Sequence, residues 1–438
     1  VLTLKLIAAD FLITENNQLQ KNGGVVIEDD TIVKVGNYQE LKQEYPAIPQ
    51  EKHTGSVLAP GFINSHMHFY GILSHGINPP HFDDFTGFLE DFWWPLVEDQ
   101  LTPELIAQGV KMSALELINS GVTTAVDILE APQAIPGALE VEAEVLKELG
   151  LRAELSFEAC ERVSPENAEL GLQENLKFAA KHKEDPLISG RQCTHTLFTC
   201  SEEFLTKAFK LGKEAGLKHQ LHLSESSYEV NYSLEEYNLR PVEVYEKNEL
   251  LNSDLLVSQA VKINEQEIDL LARHEVSVAH LPLSNCEVGG GVAPVPEMLA
   301  ADLKVGIGTD GYINNFFEVL RGAFLIHKAN LENPAIMPAE TVYSLATGKG
   351  AEAIKRPELG SLKEGNKADL IIVELDCPTP VNEGNIFEQL ILYCNPKNVK
   401  EVIIAGDKIK TAGEIIGVDL EQEREKTREA ANKLWGVS

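Results

Sequence analysis

The stretch "LAPGFINSHMHFYG", running from Leu58 to Gly71, decides how the rest of the chain is read. An apolar, strand-like run ends in two histidines, His66 and His68, one residue apart. Side chains on a strand alternate faces, so both imidazoles point the same way and Met67 points the other. Two converging imidazoles suit a metal ion. They also suit a hydrogen-bonded core, and the other strands decide between the two readings.

Working outward, similar short runs follow: "GVTTAVDIL", "LRAELSFEAC", "LISGRQCTHTLF", "LKHQLHLSES", "DLLVSQAVKI", "VSVAHLPLS" and "LKVGIGTDG". Amphipathic stretches such as "TPELIAQGVKMSALELINSG", "CSEEFLTKAFKLGKEAG" and "NEQEIDLLARHE" lie between them, several opening on a Thr, Ser or Asn placed to cap a helix. Eight strands alternating with helices predict an α/β chain with a (β/α)8 TIM-like barrel over 58–358, its chemistry at the C-terminal ends of the strands. The flanks, 1–57 and 359–438, carry hairpin-like strands ("GGVVIEDDTIVKVG", "KADLIIVEL", "VKEVIIAGDKI") that predict a small β-sandwich formed by both chain ends. The charged run "EQEREKTREAANKLWG" predicts a terminal helix.

Bulk properties narrow the function. Of the 438 residues 43% are hydrophobic, enough for a large core, and 68 acidic against 37 basic side chains give a net charge of −31. That balance repels phosphate backbones and anionic membrane surfaces, so neither nucleic-acid nor membrane binding is expected. The six cysteines are scattered without a C-x-x-C pair, the pattern of reduced thiols and a cytoplasmic location. "VLTLKLIAADFLI" alternates apolar and polar residues and reads as a strand, not a signal peptide.

Each predicted strand can be asked what ends it. The first ends in His66 and His68, the fourth in His195, the fifth in His222 followed by Glu225. Gln259, His280 and Asp310 end the sixth, seventh and eighth. His66, His68, His222 and Asp310 form a three-nitrogen, one-oxygen set suited to a divalent metal, Zn²⁺ first and Fe²⁺ second. Such a metal brings the pKa of a bound water to ~7 and generates hydroxide. Glu225, three residues past His222, is placed to shuttle protons, and Asp310 to act as ligand and base together.

"GFINSHMHF", "QLHLSES", "VAHLPLSN" and "GIGTDG" resemble signatures of the amidohydrolase superfamily, and the resemblance covers nearly the whole chain. It is similar to the branch holding cytosine, guanine, S-adenosylhomocysteine and triazine aminohydrolases and chlorohydrolases. "FWWPLVEDQLTPE", "SSYEVNYSLEEY", "GTDGYINNFFEVLRGAFLIHK" and "PTPVNEGNIFEQLI" look most like the SsnA-type aminohydrolases. The resemblance implies one metal on His66, His68, His222 and Asp310, and Glu225 as proton donor to a ring nitrogen and the leaving group. It also implies His195 and His280 near the substrate, and a homodimer or higher assembly. The fourth strand has no bridging lysine, although Cys193 lies there. One position departs: Gln259 stands where that branch has a histidine, and a glutamine can donate a hydrogen bond but take up no proton.

The chain is therefore expected to deaminate an aromatic nitrogen heterocycle, with Tyr70, Trp93 and Trp94 lining the pocket. The departure at Gln259 leaves three readings. Asp310 and Glu225 suffice as base and acid; the reaction is a displacement with less proton traffic, as in a chlorohydrolase, or cleavage of an amide or N-alkylamine; or a catalytically silent metal-binding homologue remains.

Overall fold

The computed structural model describes residues 4–79 and 81–436; Val1–Thr3, the start of the predicted first strand, lie outside them. Eight parallel strands form the central ring: Phe62–Met67, Val122–Asp127, Arg152–Leu155, Ile188–Gly190 continued by Gln192–Cys193, His219–Leu223, Leu255–Gln259, Ser277–His280 and Lys304–Ile307. The fourth is broken at Arg191. Its first half pairs with the third strand (Ala153 beside Ile188) and its second half with the fifth (Gln192 beside His219). The last strand closes on the first through a parallel bridge between Met67 and Asp310, and the Thr309 and Asp310 amides each donate to His66 O at 3.1 Å.

The glycines of "GIGTDG" explain how that seam fits. A Cβ on Gly308 would meet His66 O at 2.4 Å and Leu281 Cδ2 at 2.6 Å, so only glycine lets the eighth strand lie against the first.

The predicted caps hold the outer helices. Thr102 Oγ1 accepts from Leu105 N–H at 3.4 Å at the start of Pro103–Asn119, and Ser201 Oγ from Phe204 N–H at 3.2 Å at the start of Glu202–Glu214. Asn264 and Glu267 bond reciprocally at 3.0 Å before Glu265–Arg273. Each cap satisfies amides that the first helical turn cannot. The terminal helix, Leu420–Trp435, reaches back to the barrel mouth: Trp435 Nε1–H donates to Leu73 O at 2.9 Å, and its ring lies 5.6 Å from that of Phe92.

Both chain ends join as expected, but in a different form. Instead of two stacked sheets they build one nine-stranded sheet, in the order Glu414–Ile415, Asp407–Thr411, Val399–Ile404, Leu370–Glu374, Gln50–Pro60, Leu4–Ile13, Gly23–Glu28, Thr31–Asn37, with Leu19–Lys21 attached to Leu4–Ile13. The sheet curls until its far edge meets the chain entering Leu370–Glu374: Ala368 N–H donates to Asp30 O at 2.7 Å, and Ile32 N–H to Asn366 O at 2.8 Å. Ile7, Val25 and Ile27 from one wing pack with Leu370, Ile372 and Ile403 from the other. Curling gives the small sheet an interior of its own, which a flat sheet of this size would lack.

A buried ion pair ties sheet to barrel. Arg152 donates through Nε to Asp369 Oδ2 at 2.7 Å and through Nη2 to Oδ1 at 3.0 Å, a two-pronged contact out of reach of solvent. Removing one partner strands the other charge. Arg152→Ala is expected to cost about 3–5 kcal/mol, read as a lowered denaturation midpoint in urea.

Candidate metal and active site

The barrel mouth holds a cavity of about 400 Å³. His66, His68 and His222 converge beneath it, each offering a ring nitrogen within 4.8 Å of the other two. His222 Nε2 is 3.4 Å from His68 Nε2, and Asp310 Oδ1 lies 3.2 Å from His68 Nε2 and 3.9 Å from His66 Nε2. The first, fifth and eighth strands therefore bring the four predicted ligands together across the barrel mouth. His68 Nδ1 bonds to Ile128 O at 2.8 Å, which fixes its tautomer and aims Nε2 at that point.

Electrostatics follow from burial. Burial lowers His66 and His222, the neighbouring His68 adds to it, and His222 falls to about 4. Burial acts the same way on His68, but its bond to Asp310 and the charge of Glu130 outweigh it and lift the group to about 10. Burial raises Asp310, and the bond to His68 and the charges of His68 and His66 more than reverse it. His66 Nε2 is buried without a hydrogen-bond partner among the described residues. An orphaned imidazole nitrogen beside two more and an ionised carboxylate is a donor set that fits a divalent cation, which would replace the proton His68 and Asp310 share.

Around this point the structure gathers most of the residues named from sequence. Glu225, His195, Gln259, Trp93 and Trp94 all line the cavity. Burial, then the charge of Asp310, raises the Glu225 carboxyl well above the usual carboxylate range, which favours its protonated form. Gln259 Nε2 donates to Asp310 Oδ2 at 2.8 Å and Ser284 Oγ to the same oxygen at 2.8 Å, while Gly311 N–H holds Oδ1 at 2.8 Å. Gln259 and Asp310 both adopt left-handed backbone, φ 74° and 60°, a strained conformation for residues that carry a Cβ.

Gln259 thus orients the Asp310 carboxylate. Gln259→Leu is expected to retain metal and lower turnover by roughly 10- to 100-fold, checked by metal content alongside rate.

Two predicted contacts fall elsewhere. Tyr70 does not line the cavity; it is fully buried and donates its hydroxyl to Glu130 at 3.0 Å, because a buried phenol needs an acceptor. His280 also stands off the cavity, its Nε2 3.1 Å from His327 Nε2. Cys193 is buried and is not one of the converging ligands.

The structure adds residues that sequence reading passed over. Glu130 follows the second barrel strand and lines the cavity, with Oε1 3.9 Å from His68 Nδ1. Glu158 follows the third, with Oε2 3.4 Å from His222 Nδ1 and Oε1 3.5 Å from His195 Nδ1. The rule that selected the histidines, asking what ends each strand, finds both when applied to "VDILE" and "ELSFE".

Residues 57–409 match the model of the amidohydrolase family, a stretch that contains every strand of the barrel and all four predicted ligands. The chain belongs to the amidohydrolase family. Within this amidohydrolase, residues 23–47 also match the imidazolonepropionase-like composite domain of bacteria. It is 32% identical to the 5-methylthioadenosine/S-adenosylhomocysteine deaminase of Bacillus cytotoxicus over 422 residues, covering 94% of each chain. Identity is 33%, again over 422 residues and 94% of each chain, with the 5′-deoxyadenosine deaminase of Methanosarcina acetivorans. Among solved structures, a zinc-bound adenosine deaminase of Xanthomonas campestris superposes with a TM-score of 0.90 at 24% identity over 99% of each chain. The guanine deaminase of Bradyrhizobium japonicum gives 0.81 at 18% identity, over 93% of this chain and 99% of that one. Both share the amidohydrolase fold, barrel and sheet together. Among the described residues no helix is long and apolar enough to cross a membrane.

Proposed function

We propose that the chain is a zinc-dependent aminohydrolase that replaces an exocyclic amine on an aromatic nitrogen heterocycle with oxygen, releasing ammonia. The observation that carries it is the convergence of His66, His68, His222 and Asp310 beside a cavity lined by Glu225 and aromatic side chains. Those four residues would hold one divalent cation, which would supply an acidified water as nucleophile. Relatives whose names describe deamination of adenosine derivatives, aligned over 94% of the chain, support the ring chemistry.

The chain's own residues do the rest. Asp310, held by Gln259, Ser284 and Gly311, takes the nucleophile's proton. Glu225, whose buried setting favours the protonated form, gives its proton to the ring nitrogen, regains the one Asp310 took from the nucleophile, and passes it to the departing amine. Trp93 and Trp94 present ring surfaces on which a flat substrate stacks. His195 Nδ1 is engaged with Thr199 Oγ1 at 2.8 Å, which leaves Nε2 for the substrate.

The test is ammonia release from purines, pyrimidines, pterins, triazines and adenine nucleosides by protein loaded separately with Zn²⁺ and Fe²⁺, with chloride followed in parallel. Metal-dependent ammonia from a ring amine is the expected result. Chloride without ammonia, or silence with one metal bound per chain, refutes the deaminase reading.

A further inference from the structure

The two tryptophans of the cavity wall are held in different ways. Trp93 stacks on Phe88 with ring centres 5.6 Å apart and also meets Tyr70 and Phe92, so its neighbours fix it as they fix any packed ring. Trp94 is half-buried, and among the rings of the described residues it meets His195 alone, edge-on at 6.4 Å. Its other support is a cation. The guanidinium carbon of Arg162, from the bend beyond the third barrel strand, lies over the Trp94 ring 4.9 Å from its centre. Trp94 lines the cavity and Arg162 does not, so the arginine stands behind the indole.

That guanidinium is itself fixed. Its Nη2 donates to Glu98 Oε2 and to Asp99 Oδ1, at 3.0 Å each, and these residues follow Trp94 by four and five positions. Glu98 is fully buried and also bonds to the Glu130 carboxyl. One side chain from a separate part of the barrel thus pins the stretch from Trp94 to Asp99 at three points. A planar guanidinium can stack on a ring while its edge pairs with carboxylates, whereas a lysine ammonium offers the charge without the plane.

We propose that Arg162 is a positioning residue for the substrate ring: from behind the wall it fixes the Trp94 indole so that the opposite face meets the ligand. The proposal rests on the reading that a flat heterocycle stacks on that wall. Without the brace the indole regains rotational freedom that ligand binding must remove again, so the loss falls on KM and not on the chemical step.

The test uses the zinc-loaded full chain labelled with 5-fluorotryptophan, which carries three fluorine probes, at Trp93, Trp94 and Trp435. Trp94→Phe assigns the Trp94 line. Arg162→Met alone strands the buried Glu98 carboxylate, so the deciding chain is Arg162→Met/Glu98→Gln, in which no charge is stranded at Glu98 and the glutamine can still bond to Glu130. In it the Trp94 line is expected to shift and to broaden or split, with the Trp435 line and the metal content unchanged. For the ring amine turned over fastest, KM is expected to rise about tenfold with kcat within about threefold of wild type. Arg162→Lys keeps the charge and loses the plane, and is expected to fall between wild type and the double variant. A Trp94 line unmoved in the double variant, or an unmoved KM, overturns the proposal. All three lines moving together assigns Arg162 to the fold as a whole and overturns it as well. If the wild-type chain releases ammonia from no ring amine, the deaminase reading fails, while the fluorine spectrum still decides whether Arg162 holds Trp94.

Discussion

His222→Ala is expected to abolish metal binding and turnover together. His222 is one of three converging imidazoles, and its removal leaves a site of two nitrogens and one carboxylate oxygen. It also leaves Glu158 buried without the ring nitrogen it faces at 3.4 Å. The strand itself should persist, because its backbone pairs with both neighbours through register contacts that do not use the imidazole. Metal is expected to fall from one per chain to almost none, and activity by at least about 10³-fold, or some 4 kcal/mol of transition-state stabilisation. Metal analysis, circular dichroism and rate on one preparation check it. Turnover surviving in metal-free buffer would end the metal-dependent mechanism.

Glu225→Gln separates proton transfer from metal binding. Glu225 lines the cavity but is not one of the converging ligands, so metal content should not change. An amide of the same shape can still donate a hydrogen bond, yet it cannot release a proton to a ring nitrogen or to departing ammonia. A loss of about 10²- to 10⁴-fold in kcat is expected, with KM changing far less. The wild-type rate should fall as pH rises through the elevated Glu225 pKa, because the reactive form is the protonated acid. A variant within fivefold of wild type would assign proton delivery elsewhere.

The barrel and the convergence of His66, His68 and His222 were legible because both rest on local rules. Alternation along each strand put His66 and His68 on one face, and the caps at Thr102, Ser201 and Asn264 marked where helices begin. What stayed hidden depends on partners far apart in the chain. Tyr70 is withdrawn from the cavity by an acceptor 60 residues away, and His280 by a histidine 47 residues away. Glu130 and Glu158 follow their strands as the histidines do, but a carboxylate there shows its role only once other strands bring imidazoles beside it. The sheet's curl depends on Asp30 meeting Ala368, a contact that no periodicity encodes.

That long-range contact also sets a timetable. Gln50–Pro60 pairs in the finished sheet with Leu370–Glu374, so after its synthesis one of its edges waits while about 310 further residues are made. At translation rates of ~5–20 residues per second the wait is roughly 15–60 s. Throughout it, the early wing presents an open strand edge and the apolar face of Ile7, Val25 and Ile27. A chain built this way depends during its own production on whatever shields nascent strands from one another, and its yield in a cell should respond to chaperone supply more sharply than the stability of the finished barrel would indicate.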